Sequence, residues 1–263
     1  MEQLAFKYQE TTLYFLKAGK GSQTLLAFHG FGQDHQAFTE LFEKLSNQYT
    51  IYTFDIFFHG KSEWSKGETP LEKSFWKELL TEFLSHYKIE RFNLLGFSMG
   101  GKFALASLEA FPGKIDKVFL LAPDGIKTSA WYSLATYPVA LRKLFRSMIT
   151  NPNRFYAIAH FSVKIGIIDK GILRFVESQM STKEKREQVY YSWVVFRHLK
   201  FDVNRIASII NANNINLTLV IGKYDKIITL KNMQSLLIRL KTYNLEIPET
   251  GHNGVIGSSF QKM

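Results

Sequence analysis

Residues 92–101 read FNLLGFSMGG and contain the clearest motif of the chain. Three of its first four residues are apolar, as is typical of a buried strand, and the residues after Gly101 have the pattern of a helix. Between the two lies Gly-x-Ser-x-Gly, with Ser98 flanked by Gly96 and Gly100. Glycine relieves crowding at such a bend, and the helix that follows directs backbone amides toward negative charge. The stretch predicts a sharp strand–turn–helix that presents a serine hydroxyl.

Short apolar runs alternate with helical patterns along most of the chain, which predicts an α/β fold with a mostly parallel central sheet flanked by helices. The run LLAF at 25–28 is apolar throughout and LTLVI at 217–221 is apolar except for Thr218, as expected of strands buried on both faces. The predicted strands are 11–17, 24–29, 50–55, 92–96, 117–122, 216–221 and 243–247. The predicted helices are 38–47, 70–87, 101–111 and 231–241.

The alternation stops after Gly125 and resumes near Asn213. The intervening stretch is aromatic, basic and mostly helical in pattern. Residues 138–150 show it best, because their apolar side chains fall on one helical face and their basic side chains on the other. We therefore expect a core domain formed by 1–125 and 206–263, with a helical cap at 126–205 inserted after the sixth core strand.

Positive charge is concentrated in one segment of the chain. The net charge is +10, and residues 125–200 hold 13 Lys and Arg against four acids, so nearly all of the excess lies there. A solvated basic surface is the plainest interpretation, and an anionic substrate or an acidic membrane surface is the sharper alternative. The membrane is not favoured, since an amphipathic helix more often packs on a core. No nucleic-acid-binding motif is present.

The composition also restricts the cellular compartment and the cofactors that can be expected. The chain contains no cysteine, which excludes disulfides and thiolate chemistry. No signal-peptide pattern and no run of about 18 apolar residues is seen, so a cytoplasmic location is expected. The histidines show no metal-ligand spacing, and the glycine pair Gly30 and Gly32 lacks the third glycine of a dinucleotide loop. Neither metal nor cofactor is predicted.

A serine hydroxyl becomes nucleophilic only when a base takes its proton. His252 follows the last predicted strand, where parallel folds place reacting groups, and it is the expected base. Asp225 follows the preceding strand and would orient the imidazole. Asp124, just after the strand 117–122, is the alternative acid. The order serine, acid, histidine favours Asp225.

The loop HGFG at 29–32 follows the first buried strand and is expected to lie beside the serine turn. The backbone amides of Phe31 and Met99 are the predicted donors to an oxyanion. Gly30 and Gly32 would let this loop approach closely. His29 is interpreted as a structural hydrogen-bonding residue.

The order Ser98, Asp225, His252, with the 29–32 loop upstream, resembles the α/β-hydrolase superfamily, in its serine-nucleophile branch. Residues 55–62, DIFFHGKS, are similar to that family's Asp-x-x-Gly-His-Gly-x-Ser segment, with Phe58 in place of the first glycine. The resemblance implies a carboxylesterase-like serine hydrolase. It would cleave an ester or related acyl bond of a small, largely apolar molecule through an acyl-enzyme.

Other reactions and a binding role remain open on the same residues. The run from Gly96 to Lys102 also resembles the turn of menaquinone-pathway lyases, with Gly-Gly-Lys where those enzymes have Gly-Gly-Arg. Carbon–carbon bond hydrolases and thioester hydrolases share the scaffold, and a basic cap would suit an anionic substrate. A ligand-binding receptor with a slow triad is a further possibility. The acyl chain, the leaving group and the oligomeric state are not predicted.

Overall fold

The computed structural model describes residues 1–127, 130–166 and 170–260. The strands are β1 (Glu2–Tyr8), β2 (Thr11–Ala18), β3 (Gln23–Phe28), β4 (Tyr49–Phe54), β5 (Phe92–Phe97), β6 (Ile115–Leu121), β7 (Asn216–Val220) and β8 (Asn244–Glu246). The helices are α1 (Thr39–Leu45), α2 (Lys73–His86), α3 (Gly100–Ala110), α4 (Ala130–Thr136), α5 (Val139–Thr150), α6 (Pro152–Lys164), α7 (Lys170–Gln179), α8 (Lys183–Val195), α9 (Val203–Ala212), α10 (Leu230–Leu237) and α11 (Val255–Ser258).

The strands form one sheet in the order β1-β2-β4-β3-β5-β6-β7-β8. Strands β1 and β2 are antiparallel to their neighbours, and every pairing from β4 through β3 to β8 is parallel. The predicted α/β class with a mostly parallel sheet is confirmed. Because parallel strands end at the same edge, the loops after β3, β5, β7 and β8 lie on one side of the sheet.

The central strands form the core because their side chains are apolar on both faces. Leu25 and Leu26 of β3 and Leu94 of β5 are fully buried. Helix α3 packs on this layer, and its contact with α2 includes a buried hydrogen bond from Trp76 Nε1 to Ser107 Oγ at 3.0 Å. The helix that follows the serine turn is thereby fixed against the middle of the sheet.

Strand β1 is absent from the predicted strands. Its residues alternate between exposed and half-buried, so it contains no continuous apolar run. It is held by antiparallel pairing with β2, from Glu2 opposite Lys17 to Tyr8 opposite Thr11. An edge strand of this kind gives a weaker pattern than a central one.

The chain divides into two compact units. The core unit comprises 1–66, 71–127 and 199–263, and the helical unit comprises 67–70 and 128–198. Within the helical unit, α5 packs on α4, α6 and α8. The ring of Phe145 meets that of Tyr190 edge-on at 5.3 Å between centroids, and Arg146 Nη1 lies 3.0 Å from a carboxylate oxygen of Glu68. Across the described ranges, no helix has both the length and the apolar character needed to cross a membrane.

Candidate active site

Ser98 occupies a tight turn between β5 and α3. Its φ is +49°, in the left-handed region that L-residues other than glycine seldom adopt. A Cβ at Gly96 would lie 2.8 Å from the carbonyl oxygen of Gly100, and one at Gly100 would lie 1.9 Å from that of Phe28. Both glycines are therefore required by close backbone approach, for the reason that the sequence suggested.

Backbone hydrogen bonds on both sides hold this turn. The Ser98 amide donates to Leu121 O at 2.9 Å, and the Ser98 carbonyl accepts from Gly101 N at 2.9 Å and Asp124 N at 2.8 Å. Because these bonds tie the turn to the end of β6, the backbone is constrained in its unusual conformation.

The structure brings Ser98, His252 and Asp225 into one hydrogen-bonded chain. Ser98 Oγ lies 2.9 Å from His252 Nε2, and His252 Nδ1 lies 2.6 Å from Asp225 Oδ2. The carboxylate can only accept from an imidazole N–H, so Nδ1 donates and Nε2 is left to accept the serine hydroxyl. The Phe97 ring lies 5.1 Å from the imidazole, between centroids, and helps to fix its plane.

Asp225 is held rigidly on the loop after β7. Its side chain is fully buried, and Oδ1 accepts hydrogen bonds from Ile227 N at 2.8 Å and Ile228 N at 2.9 Å. The loop itself is joined to the histidine loop by a hydrogen bond from Tyr224 N to Thr250 O at 3.0 Å. The oxygen that faces His252 is therefore fixed in direction.

Asp124, the alternative acid, has different partners. Its Oδ2 lies 3.3 Å from Nζ of Lys102, and its Oδ1 accepts from Gly125 N at 2.7 Å. Lys102 is buried in α3, so this ion pair lies beside the serine turn. The imidazole of His252 is hydrogen-bonded by Asp225 instead.

The loop after β3 approaches the serine turn closely. A Cβ at Gly30 would lie 2.8 Å from the Phe97 ring, and Gly32 has a φ of +75°. Within the part of the chain that the structure describes, the amides of Phe31 and Met99 have no intramolecular acceptor. Both are thus available to an external oxygen.

Gln33 is a contributor that the sequence analysis missed. Its Oε1 accepts from Gly30 N at 2.9 Å and so closes the loop that carries Phe31. A lone glutamine has no motif spacing, and only its position two residues beyond Phe31 could have suggested this role.

A buried polar cluster around Asp55 supports the same loops. Asp55 Oδ1 accepts from the amide of His35 at 2.7 Å and from its Nδ1 at 2.9 Å, while Oδ2 accepts from Lys61 N at 2.8 Å. A Cβ at Gly60 would lie 2.0 Å from Asp55 Oδ2. Phe58, where the family pattern has glycine, keeps a glycine-like φ of +69°, so the loop is retained despite the substitution.

Two buried histidines belong to this region. His29 Nδ1 donates to Gly30 O at 2.7 Å and its Nε2 accepts from Ile56 N at 3.0 Å, as expected of a structural residue. Burial, together with the nearby His59, holds the pKa of His29 well below its ordinary value. Burial lowers the pKa of His59 from 6.5 to about 4.

These histidines make stability depend on pH. In the unfolded chain His59 binds a proton near pH 6.5, whereas in the folded chain it does so only near pH 4. The free energy of unfolding therefore falls as the pH drops from 6.5 to 4. His59 alone accounts for about 3 kcal/mol. The variant His59→Asn should lose less stability than the native chain between pH 6.5 and 4, measured by urea unfolding.

The exposed His86, changed to Asn, is the control for that comparison. If His59→Asn shows the native dependence, the depressed pKa is wrong.

Among the described residues, no group of three or more His, Asp and Glu side chains is placed to hold a metal ion. The sequence contains no cysteine to add to such a group.

Comparison with known proteins agrees with this architecture. The family model described as alpha/beta hydrolase fold matches residues 23–152. An esterase from Thermogutta terrifontis superposes with a TM-score of 0.68 at 15% identity, covering 98% of this chain and 93% of its own. The enol-lactonase from Burkholderia xenovorans LB400 gives 0.65 at 16% identity, with 95% and 93% covered. The resemblance is confirmed: the chain is an α/β-hydrolase-fold protein.

Curated relatives match over a shorter span. "Putative esterase/lipase 2" of Mycoplasma genitalium is 27% identical over 113 residues, which are 43% of this chain and 42% of the relative. The pimeloyl-[acyl-carrier protein] methyl ester esterase of Aliivibrio salmonicida is 29% identical over 112 residues, 43% and 40% respectively. The chain thus aligns with less than half the length of either relative.

Proposed function

We propose that the chain is a serine hydrolase that cleaves an ester or related acyl bond of a small, largely apolar substrate. The observation that carries the proposal is the chain of hydrogen bonds from Ser98 Oγ through His252 to Asp225, at 2.9 Å and 2.6 Å, on a strained turn. The names of the two curated relatives, an esterase/lipase and a methyl ester esterase, support the same reaction class.

The reaction would begin with attack of Ser98 Oγ on the carbonyl carbon of the substrate. His252 Nε2 takes the hydroxyl proton, and Asp225 stabilises the imidazolium through Nδ1. The amides of Phe31 and Met99 donate to the oxyanion of the tetrahedral intermediate. When the intermediate collapses, the C–O bond to the leaving group breaks and His252 returns the proton to it. Water, deprotonated by His252, then attacks the acyl carbonyl; the bond to Ser98 Oγ breaks, and His252 returns the proton to Oγ.

Three features of the molecule suit these steps. The α3 N-terminus follows Ser98 directly, so its amides face developing negative charge. The carboxylate of Asp225 is buried and doubly hydrogen-bonded, so it holds one imidazole tautomer without competing water. The loop glycines Gly30 and Gly32 allow the Phe31 amide to approach the serine.

A chain-length series of p-nitrophenyl esters, from acetate to dodecanoate, tests the proposal. We expect repeated turnover, with the highest rate at one chain length. A fluorophosphonate should label Ser98 and abolish this turnover. A single slow turnover with retained product would indicate a ligand-binding receptor. No turnover of any ester, with Ser98 still labelled, would exclude simple ester hydrolysis and favour a lyase or thioester substrate.

A further inference from the structure

The helical unit contains a cavity of about 290 Å³. Residues from α4 to α8 and from the α7–α8 junction line it, and its buried walls include Phe145, Met148, Ala159, Leu173, Met180 and Val189. The hydroxyl of Ser162, which also lines it, donates to Ile158 O within its own helix at 2.8 Å. The lining therefore offers almost no polar group to a ligand.

Part of the cavity lining is exposed to solvent. Its rim includes Leu134, Leu144 and Ile158, which are 46%, 40% and 45% exposed. Large apolar side chains that surround an apolar opening are unfavourable in water, because their surface stays hydrated until something covers it. An elongated apolar ligand that enters the cavity would remove both the lining and the rim from water.

The helices that line the cavity also carry exposed basic residues. Lys143 precedes Leu144, Arg154 precedes Phe155 and Arg174 follows Leu173. All three basic residues are exposed, and none forms an ion pair within the described ranges. The nearby acid Glu177 is engaged by His160 at 3.3 Å. The basic residues would favour an anionic headgroup over a neutral or cationic one.

We propose that this cavity binds the hydrocarbon chain of a single-chain anionic amphiphile, with the fatty acid anion as its simplest form. An apolar cavity of ~150 Å³ takes up benzene, so a cavity about twice as large accommodates roughly twelve carbon atoms. The cavity is formed entirely by the helical unit. The proposal therefore does not rest on the chemistry at Ser98, and binding should persist in the Ser98→Ala variant.

Isothermal titration of the full chain with saturated fatty acid anions from C6 to C14, each below its micellar concentration, tests the proposal. Affinity should rise by about fourfold for each added methylene. It should level off near twelve carbons, where the cavity is full. Dodecanoate should bind at least tenfold more tightly than dodecyltrimethylammonium. Absence of saturable dodecanoate binding, or equal affinity for the two headgroups, would overturn the proposal.

Two alanines on α6 give a matched pair of variants. Ala159 lines the cavity, whereas Ala157 is exposed on the same helix. Ala159→Phe should fill the cavity and weaken dodecanoate binding at least tenfold, and Ala157→Phe should leave it within twofold. Equal affinities in the two variants would contradict the assigned site.

Should Ala159→Phe fail to fold, Leu144→Glu serves instead, because its side chain is already exposed. A carboxylate at the rim should weaken dodecanoate binding at least fivefold while circular dichroism stays native. Unchanged affinity would refute the proposal.

A hydrocarbon chain could reach the cavity as a free fatty acid anion or as part of a membrane lipid, and sedimentation with phosphatidylglycerol vesicles separates these two sources. If the protein binds vesicles but not monomeric dodecanoate, the exposed rim of the cavity is a membrane surface. That result would also refute the proposal.

Discussion

Replacing Ser98 with alanine is expected to lower kcat for the best ester by roughly 10⁴- to 10⁶-fold. Without Oγ no acyl-enzyme can form, and His252 has no hydroxyl proton to accept. The oxyanion donors and substrate binding remain, so a small residual rate over water should persist. Steady-state kinetics measure the fall in kcat. Fluorophosphonate labelling followed by mass spectrometry measures the loss of the reactive hydroxyl.

Ser85→Ala is the matched control for this variant, because Ser85 is an exposed serine near the end of α2. It should retain native kcat and native labelling. Fluorophosphonate labelling at full strength in Ser98→Ala would disprove the assignment of the nucleophile. Circular dichroism should be native in both variants, since Ser98 lies on a turn and its side chain is not part of the core.

The second large effect is expected at the acid. Asp225→Asn should lower kcat by about 10⁴-fold, because an amide can no longer hold His252 in the tautomer that leaves Nε2 free to accept. Asp124→Asn should change kcat by less than tenfold, since Asp124 pairs with Lys102 at 3.3 Å. The two substitutions are chemically identical, so their comparison isolates the partner of the imidazole.

The outcome of that comparison is decisive in either direction. A larger loss in Asp124→Asn than in Asp225→Asn would show that the acid has been assigned to the wrong loop. KM should change little in Asp225→Asn, because its carboxylate is buried behind His252.

Most of the central sheet could be predicted from the sequence because its strands are buried on both faces. Strand β5 was expected at 92–96 and spans Phe92–Phe97, and β7 was expected at 216–221 and spans Asn216–Val220. Helix α5, expected at 138–150, begins at Val139, directly after Pro138. In each case one local pattern, either a mostly apolar run or a helical face, was sufficient.

Elements without a local pattern could not be predicted. Strand β1 depends on pairing with β2, and α10 ends at Leu237 although the pattern continued to Lys241. The residues of the candidate site were predictable because each follows a strand. The contacts that support these residues were not predictable, because the Asp55–His35 pair joins two loops far apart in sequence and Gln33, which bonds Gly30, has no motif spacing.

The hydrogen bond between Ser98 and His252 joins residues 154 positions apart. Contacts of this separation form slowly, because the entropy of closing the intervening loop must be lost before they contribute. His252 also follows β8, a three-residue strand at the edge of the sheet. A refolding chain can thus acquire its core well before Nε2 reaches Oγ, and recovered turnover would report that the last strand has docked.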